Sequence, residues 1–289
     1  LLQSSAASDV YKRQANTPGY SRQRVQLGSS GVVLRNGLGF GTGVDATNIG
    51  RSVDNLLAGR IVNEVSDLFR LDARVAGLSE AEAALGEPGG FGISTRISDF
   101  FMSASELSAS AGDSILRTSF LESARSVAEG FRSTLSSLDG LRGDSARQAE
   151  LTTTEINVLT ERVANLNQEI RSQEASGLAA NGLRDDRDQV LRELSKLVDI
   201  SYTEASDGAV NVQTSGRLLV GLGGAVEMST QLNNDGSVDV LLGGSAEALS
   251  PTGGKLAGIL SVQGGYLPKL FGQLDSFARD MILEANRIH

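Results

Sequence analysis

Apolar and small side chains recur at alternating steps of three and four residues in the middle of the chain. The series is Ala149, Thr152, Ile156, Leu159, Val163, Leu166 and Ile170. This spacing places them on one side of a helix, where they can bury a stripe against a second helix. Gly177 and Asn181-Gly182 predict a break, because glycine and asparagine tolerate turn dihedrals at little cost. A second apolar series lies at Val190, Leu191, Leu194, Leu197 and Val198, so Ala149–Asp199 is predicted to form a helix pair.

Helical spacing also predicts helices on both sides of this pair. The stretches are Val53–Leu85, Ile93–Leu107, Leu116–Leu138 and the chain from Gly253 onward. Pro88 and its neighbouring glycines separate the first two, and the small residues 108–113 separate the next two. Gly140 and Gly143 are expected to end the third helix. The last series continues to the end of the sequence without a cap, so we expect a helix truncated at its carboxyl end.

Alternating patterns predict β-structure in two regions. After Asp199 the period changes from 3.6 to 2, and Asp207-Gly208, Ser215-Gly216 and Asn234-Asp235-Gly236 mark hairpin turns. Near the amino end, Thr17-Pro18-Gly19 predicts a turn, and an extended segment is expected from there to Leu27. Glycines at every second position from 37 to 43 share one face of a strand or hairpin. They do not have the spacing of a nucleotide-binding loop.

The predicted fold is mainly α with a β insert. Long amphipathic helices are expected to form an elongated helical bundle or coiled coil, with small β-hairpin modules. Residues 1–14 carry no clear periodicity and are interpreted as a non-native segment. The predicted order is then a turn and β-hairpin region (15–50), a helical bundle domain (51–199), a β-rich module (200–250) and a returning, truncated helix (251–289).

Composition excludes several classes of function. A formal net charge of -9 argues against a nucleic-acid partner, which requires clustered Lys and Arg. No apolar run approaches the roughly 20 residues that span a bilayer, so membrane insertion is not expected. The chain has no cysteine, which removes disulfides and thiolate chemistry. With 4% aromatic residues and no Trp, a carboxylate-based glycosidase is also disfavoured.

Candidate catalytic and ligand-binding groups are few. The one histidine is His289, so neither a Ser-His-Asp triad nor a histidine metal cluster can form. Asp185, Asp186 and Asp188 are the densest carboxylates, and a divalent-cation site or an acid–base pair at Asp185 and Asp188 is the sharper interpretation. The favoured interpretation is structural: acidic residues in a first helical turn complement the helix dipole, and Arg184 and Arg187 neutralise them. We therefore predict no catalytic, cofactor-binding or metal site, and no enzyme.

The chain resembles the bacterial flagellar axial proteins, the family of rod, hook and hook-associated proteins. Four regions carry the resemblance: NTPGYSRQ at Asn16–Gln23; Ser98–Phe101 with the Leu116–Leu138 series; LRDDRDQVL at Leu183–Leu191; and GKLAGIL at Gly254–Leu260 leading to Asn286 and His289. Their order favours the hook-associated junction proteins over the hook and rod proteins. The motif residues taken as assembly candidates are Asn16, Thr17, Gly19, Tyr20, Ser21, Arg22, Gln23, Asp185, Arg187, Asp188 and Gln189.

The resemblance implies an extracellular, non-enzymatic structural subunit of the flagellum that joins hook to filament. Such a subunit self-assembles into a ring or tube at the distal end of the hook. Its implied partners are itself, the hook protein, a second junction protein and an export chaperone, with export by the flagellar type III apparatus and no cleaved signal. The sequence departs from the family in having Leu1–Gln14 in place of the amino-terminal heptad helix and in lacking the carboxyl-terminal helix. The alternatives are another axial protein of hook or rod type, or a soluble helical adaptor or chaperone-like interaction protein.

Overall fold

The computed structural model describes residues 19, 21–29, 31–35, 38–41, 43–86 and 92–288. Its helices are α1 (Asn55–Leu85), α2 (Ile93–Ala109), α3 (Ser114–Ala175), α4 (Asn181–Leu197), α5 (Gly254–Leu260) and α6 (Leu267–Ile288), with a π-helical segment (Ser261–Tyr266) between α5 and α6. Its strands are β1 (Gln23–Ser29), β2 (Val32–Arg35), β3 (Leu38–Gly41), β4 (Val44–Arg51), β5 (Ser201–Glu204), β6 (Val210–Thr214), β7 (Arg217–Gly221), β8 (Gly224–Ala225), β9 (Met228–Leu232), β10 (Val238–Leu242) and β11 (Ala248–Leu249). The predicted mainly-α fold with small antiparallel β-modules is confirmed. Residues 1–14 lie outside the described residues.

Side-chain caps define where two of the long helices begin. The Asp54 carboxylate accepts from the backbone N–H groups of Leu56 and Leu57, at 3.0 and 3.1 Å. The Asp113 carboxylate does the same for Ile115, at 2.7 Å. Each carboxylate satisfies N–H groups that have no partner inside the helix, which is the usual role of an N-cap. The predicted break at residues 108–113 is therefore confirmed, with Asp113 opening α3.

The expected helix end at Gly140 and Gly143 is wrong. α3 runs without interruption from Ser114 to Ala175 and contains both glycines. A glycine costs a helix about 1 kcal/mol relative to alanine. Leu138 is fully buried and Leu141 is 8% exposed, both in one apolar cluster. Because each buried leucine contributes about 1.5–3 kcal/mol, packing on both sides outweighs the glycine penalty.

The break between α3 and α4 lies slightly earlier than the sequence predicted. Gly177 takes a φ of 82° and turns the chain after α3. Asn181 and Gly182, which were expected to lie in the break, are instead the first residues of α4. Gly177 supplies the positive φ that the turn needs. Gly182 is therefore not needed for the turn and lies in the first turn of α4.

The chain folds as two compact units. The first contains the described residues of Leu1–Asp67 together with Glu155–Met228, and the second contains Leu68–Thr154 together with Ser229–His289. Each unit therefore combines two stretches that are far apart in the sequence. The five-segment domain order stays a prediction, because compactness does not show which parts fold independently.

The first unit carries most of the predicted hairpins. β1 and β4 form a two-stranded antiparallel ribbon in which Gln23 pairs with Arg51, with an irregularity between Gln26 and Leu27. β2 and β3 form a second hairpin, which confirms the prediction for that stretch, although Gly37 lies outside the described residues. The third sheet has the order β5-β6-β7-β8. Its turns use Gly208 and Gly216 at φ values of 81° and 76°, as the hairpin signals predicted.

The core of the second unit joins α1, α3, the π-helical segment and α6. Ala81, Leu138, Leu141, Val262, Leu267 and Leu270 form its buried apolar cluster. The π-helical segment places the fully buried Gln263 against the turn that joins β9 and β10. Its amide donates to the Gly236 carbonyl at 2.5 Å and accepts from the Val238 N–H at 3.2 Å. The segment was not predicted, since a single widened helical turn leaves no mark in apolar spacing.

Many apolar side chains of α1 are exposed although the helix itself is confirmed. Leu57, Ile61, Leu68, Leu71 and Val75 are each between 43% and 64% exposed. The apolar series predicted the helix correctly, but in the described structure most of its leucines do not enter a core. None of the described helices is long and apolar enough to cross a membrane.

Gly258 is predicted to be essential for packing α5 against α1. A Cβ at this position would lie 2.4 Å from the Arg70 carbonyl oxygen and 2.7 Å from the Ala73 Cβ. Gly258→Ala should therefore lower the free energy of unfolding by about 1–3 kcal/mol. Gly140→Ala is the matched control, since nothing lies within 4 Å of its added Cβ. It should raise stability by about 0.5–1 kcal/mol. Urea unfolding followed by circular dichroism measures both, and equal effects of the two changes would contradict this packing.

Candidate functional site

Two sequence motifs that are separated by more than 160 positions meet in the first unit. The Ser21 N–H donates to the Asp185 carboxylate of α4 at 3.1 Å. Gly19, at a φ of 85°, approaches the same helix so closely that an added Cβ would lie 3.3 Å from the Gln189 side-chain oxygen. Gly19 and Ser21 therefore lie against α4, and Asp185 holds Ser21 there.

Arg51 is the cation at the centre of this contact. Its guanidinium lies 2.9 Å from the Asp185 carboxylate, donates to the Ser21 hydroxyl at 3.1 Å and also pairs with the Asp188 carboxylate. The Arg51 side chain is 11% exposed, and those of Asp185 and Asp188 are 9% and 25% exposed. Ser21, Arg51, Asp185 and Asp188 are called the Arg51 cluster below. Because the charges are largely removed from water, their pairing is required for this part of the fold.

The favoured interpretation of Asp185 and Asp188 was wrong about their partners. The first turn of α4 contains no acidic residue, and Asp185 lies one turn further along. Arg184 and Arg187 do not neutralise these carboxylates but face Glu174 and Glu204. Arg184 and Asp185 are sequence neighbours, as are Arg187 and Asp188, and neighbouring residues point in different directions from a helix. The cation that the two aspartates require comes instead from the end of β4.

Arg187 lies at the centre of a second, more deeply buried network. Its side chain is 2% exposed and donates to the Gly208 carbonyl at 2.6 Å, the Asn167 amide oxygen at 3.2 Å and the Glu204 carboxylate at 3.1 Å. Burial lowers the pKa of the Arg187 guanidinium below its ordinary value, and the charge of Glu204 opposes that shift. Arg187 was a candidate for assembly contacts, but its side chain is directed into the fold and braces the turn between β5 and β6.

Two asparagines of α3 bond the first residues of β6 and β9. The Asn167 side chain accepts from the Val210 N–H at 3.0 Å and donates to the Val210 carbonyl at 2.8 Å. Asn157 makes the same pair of bonds to Met228, both at 2.8 Å. A primary amide offers one donor and one acceptor side by side, so it can replace a neighbouring strand at one residue. Helical spacing alone does not reveal this role, because an asparagine within a helix is ordinarily solvated.

Apart from Arg187, the predicted assembly candidates separate into three groups. Gly19, Ser21, Asp185, Asp188 and Gln189 lie together at the contact between the turn and α4. The Arg22 side chain is exposed, and Gln23 opens β1 beside Arg51. Asn16, Thr17 and Tyr20 lie outside the described residues, as does His289. No sequence feature points to Arg51, because it belongs to no motif and its partners lie 134 and 137 positions away along the chain.

An open cleft of about 760 Å³ lies beside the Arg51 cluster within the first unit. Ile49, Gly50 and Val53 line one side, and Ser201, Tyr202 and Glu204 of β5 line another. Burial raises the pKa of the Tyr202 phenol, and the charge of Asp188 adds to the shift. Among the described residues, no group of three or more His, Cys, Asp or Glu side chains is placed to hold a metal ion. The carboxylates of the Arg51 cluster are engaged in ion pairs, so the geometry favours bracing over proton transfer.

Comparisons with known proteins agree on one family. Residues 78–289 match the family described as flagellar hook-associated protein FlgK helical domain. The chain is similar to flagellar hook-associated protein 1 of Bacillus subtilis, with 27% identity over 323 residues that cover 99% of this chain and 63% of the relative. For the Salmonella typhimurium protein of the same name the identity is 26% over 203 residues, which cover 68% and 36%. The chain thus spans less than two thirds of the length of these curated relatives.

A solved structure supports the fold. The structure of the flagellar hook junction protein FlgK from Burkholderia pseudomallei aligns with a TM-score of 0.57 and 23% identity, covering 70% of this chain and 38% of that one. At this identity the likeness concerns the fold alone. Together with the family match, it confirms the resemblance derived from the sequence motifs.

Replacement of Arg51 should destabilise the first unit strongly. Arg51→Leu leaves Asp185 and Asp188 without their cation, and we expect a loss of about 3–5 kcal/mol in the free energy of unfolding. Adding Asp185→Asn and Asp188→Asn to the same chain should recover most of this loss, because no unpaired carboxylate then remains. Arg125→Leu is the control: its ion pair with Glu122 is exposed, and we expect a change of less than about 1 kcal/mol. Denaturant unfolding measures the free energy of unfolding of Arg51→Leu, of the triple variant and of Arg125→Leu. If the triple variant is no more stable than Arg51→Leu, the assigned pairing is contradicted.

Asn167→Ala is a separate test of the second network. It removes the only side chain that bonds both backbone groups of Val210 in the described structure, and we expect a loss of more than about 2 kcal/mol. Gln168→Ala removes an exposed amide from the next position of α3 and should leave stability nearly unchanged. Thermal unfolding compares the melting temperatures of the Asn167→Ala and Gln168→Ala variants. Similar melting temperatures would show that the Asn167 bonds contribute little.

Proposed function

Since this chain belongs to the flagellar hook-associated protein FlgK helical-domain family, we propose that it is a structural subunit that joins the flagellar hook to the filament. The names of its relatives, hook-associated protein 1 and hook junction protein, support this role. The subunit acts by self-assembly at the distal end of the hook. The proposal concerns the whole protein, of which this chain matches a part.

The observation that carries the proposal is the Arg51 cluster. It connects Ser21 to α4, and so joins the segment that resembles the axial-protein signature to the helical domain. A subunit in a filamentous assembly must transmit force between its contact segments and its folded body. Buried ion pairs resist separation, because breaking one leaves an uncompensated charge in a poorly solvated place. The cluster therefore suits a mechanical link between the two.

Arg22 is proposed as a contact to a neighbouring subunit, whereas Ser21, Asp185 and Asp188 hold the turn. The reason is the direction of each side chain. Arg22 is exposed although its backbone carbonyl is fixed by the Ser52 N–H at 2.8 Å. A fixed backbone with an exposed cationic side chain is arranged for a partner outside the chain. Asn16, Thr17, Tyr20, Gln23 and Gln189 stay assembly candidates on the basis of the motif.

Exposed apolar side chains support an interaction role. Leu56, Leu57 and Ile61 at the start of α1 are 79%, 55% and 43% exposed, and Phe277, Ile282 and Leu283 of α6 are 49%, 61% and 61% exposed. Clustered exposed apolar groups of this size mark contact surfaces. We propose that the partners are further copies of the subunit, the hook protein, a second junction protein and an export chaperone. The proposed location is outside the cell on the flagellum, reached by the flagellar type III apparatus without a cleaved signal.

Immunogold labelling tests the proposed location. Antibodies raised against the purified 289-residue chain would be applied to flagella isolated from the source organism. We expect gold in a narrow band where hook and filament meet, and none on flagella from a strain that lacks the gene. Labelling along the whole hook or rod would favour another axial protein. Signal confined to the cytoplasm would favour the adaptor alternative and overturn the proposal.

A further inference from the structure

The backbone register leaves one edge of β5 without a partner. Ala205 donates its N–H to the Ala209 carbonyl at 2.7 Å, which makes these two residues a hydrogen-bonded pair. Such pairs alternate along an antiparallel ladder, so Glu204 and Tyr202 belong to non-bonded pairs with Val210 and Val212. Val210 confirms the alternation, since both of its backbone groups bond to Asn167 instead. The N–H and C=O groups of Tyr202 and Glu204 therefore point away from β6, and no described residue bonds to them.

There is room beside this edge for another strand. Tyr202 and Glu204 line the 760 Å³ cleft, whose volume lies within the range of about 300–1,000 Å³ typical of binding clefts. The strand on the other side of the cleft is protected. The outward carbonyl of Ile49 in β4 already accepts from the Asn181 side chain at 2.6 Å. Of these two strand edges, β5 is the one that is open to pairing.

The accessible charge around β5 is negative. The side chains of Glu174, Asp188 and Glu204 are 30%, 25% and 38% exposed. The arginines that pair with them are each less accessible than their carboxylate partners: Arg51, Arg184 and Arg187 are 11%, 23% and 2% exposed. An added strand therefore meets carboxylate oxygens before it meets guanidinium groups. The edge favours an extended segment that carries basic side chains.

The β1 strand has the complementary features. The Ser52 N–H bonds to the Arg22 carbonyl, so the next outward positions on β1 are Gln23 and Val25. The ribbon contains β1 and β4 alone, which leaves the outer side of β1 open in the described structure. Arg22 and Arg24 are exposed beside it, and Val25 and Leu27 are 54% and 69% exposed.

We propose that the outer edge of β5 accepts the β1 strand of a second copy of this chain, by β-strand addition. The donor and acceptor edges lie at different places on one chain, so the contact is heterologous and can repeat from copy to copy into a ring or tube. The ring or tube belongs to the proposed function, so the inference rests on that proposal. What it adds is the contact surface between copies.

Amide hydrogen exchange of the intact 289-residue chain tests the pairing. The probe is the acetylated peptide of residues 22–29, added up to millimolar concentration. We expect exchange at Tyr202 and Glu204 to slow about tenfold once the peptide exceeds its Kd about tenfold. A peptide carrying Arg22→Glu and Arg24→Glu should give no protection. Unchanged exchange with the native peptide, or equal protection by the acidic one, would overturn the inference.

Proline variants provide a second, independent readout. Tyr202→Pro removes an outward N–H that the sheet itself does not use, so the fold should persist while protection of Glu204 is lost. Ala225→Pro is the matched control. It removes an outward N–H from β8 at the opposite edge of the same sheet, and protection should remain. Circular dichroism verifies folding of both. Because neither readout involves flagella, negative results here together with gold at the junction would reject the strand contact and leave the proposed function in place.

Discussion

The fold of the first unit depends on the requirement that a charge removed from water be paired. Asp185 and Asp188 occupy one face of α4, and Arg51 is the cation that makes their burial tolerable. Arg187, on the neighbouring face, has the same requirement and meets it with Glu204, Gly208 and Asn167. The strands and helices that supply these partners have little freedom to move independently, because separating any one exposes an unpaired buried group. The amino-terminal ribbon, α3, α4 and the β5–β6 turn are thereby held in one arrangement.

Much of the fold could be predicted because it follows from local rules. The apolar series at three- and four-residue steps predicted α1, α2 and α4, and Asp-Gly and Ser-Gly turns predicted the hairpins between β5 and β7. These signals lie within one turn of a helix or one hairpin, so the sequence contains them in full. The glycines of α3 show where local rules stop. Gly140 and Gly143 are helix breakers by propensity, yet burial of Leu138 and Leu141 keeps the helix continuous, and that burial depends on residues of α1 and α6.

The sequence predicted only part of the candidate site. The residues within motifs were predicted, and a residue far along the chain from its partners was not. The motifs predict Ser21, Asp185 and Asp188, and the structure brings them together. They do not predict Arg51, because it belongs to no motif and its partners lie 134 and 137 positions away. For the same reason Arg184 and Arg187 were assigned to the nearest carboxylates in the sequence instead of the nearest in space. A neighbour at i±1 on a helix faces another direction, so proximity along the chain misled the assignment.

The two asparagines of α3 show how a long helix can hold strands through their backbone groups in addition to apolar packing. Asn167 bonds both backbone groups of Val210, and Asn157 bonds both groups of Met228, so each takes the place of a neighbouring strand at one residue. Val210 begins β6 and Met228 begins β9, so the two amides attach strands of two different sheets to α3. The outward backbone groups of Tyr202 and Glu204 in β5 remain available. A strand edge that is short, flanked by Glu204 and set in a cleft is protected against indiscriminate pairing by its charge. The same charge makes it selective for a basic strand, and so the feature that prevents aggregation also specifies the partner.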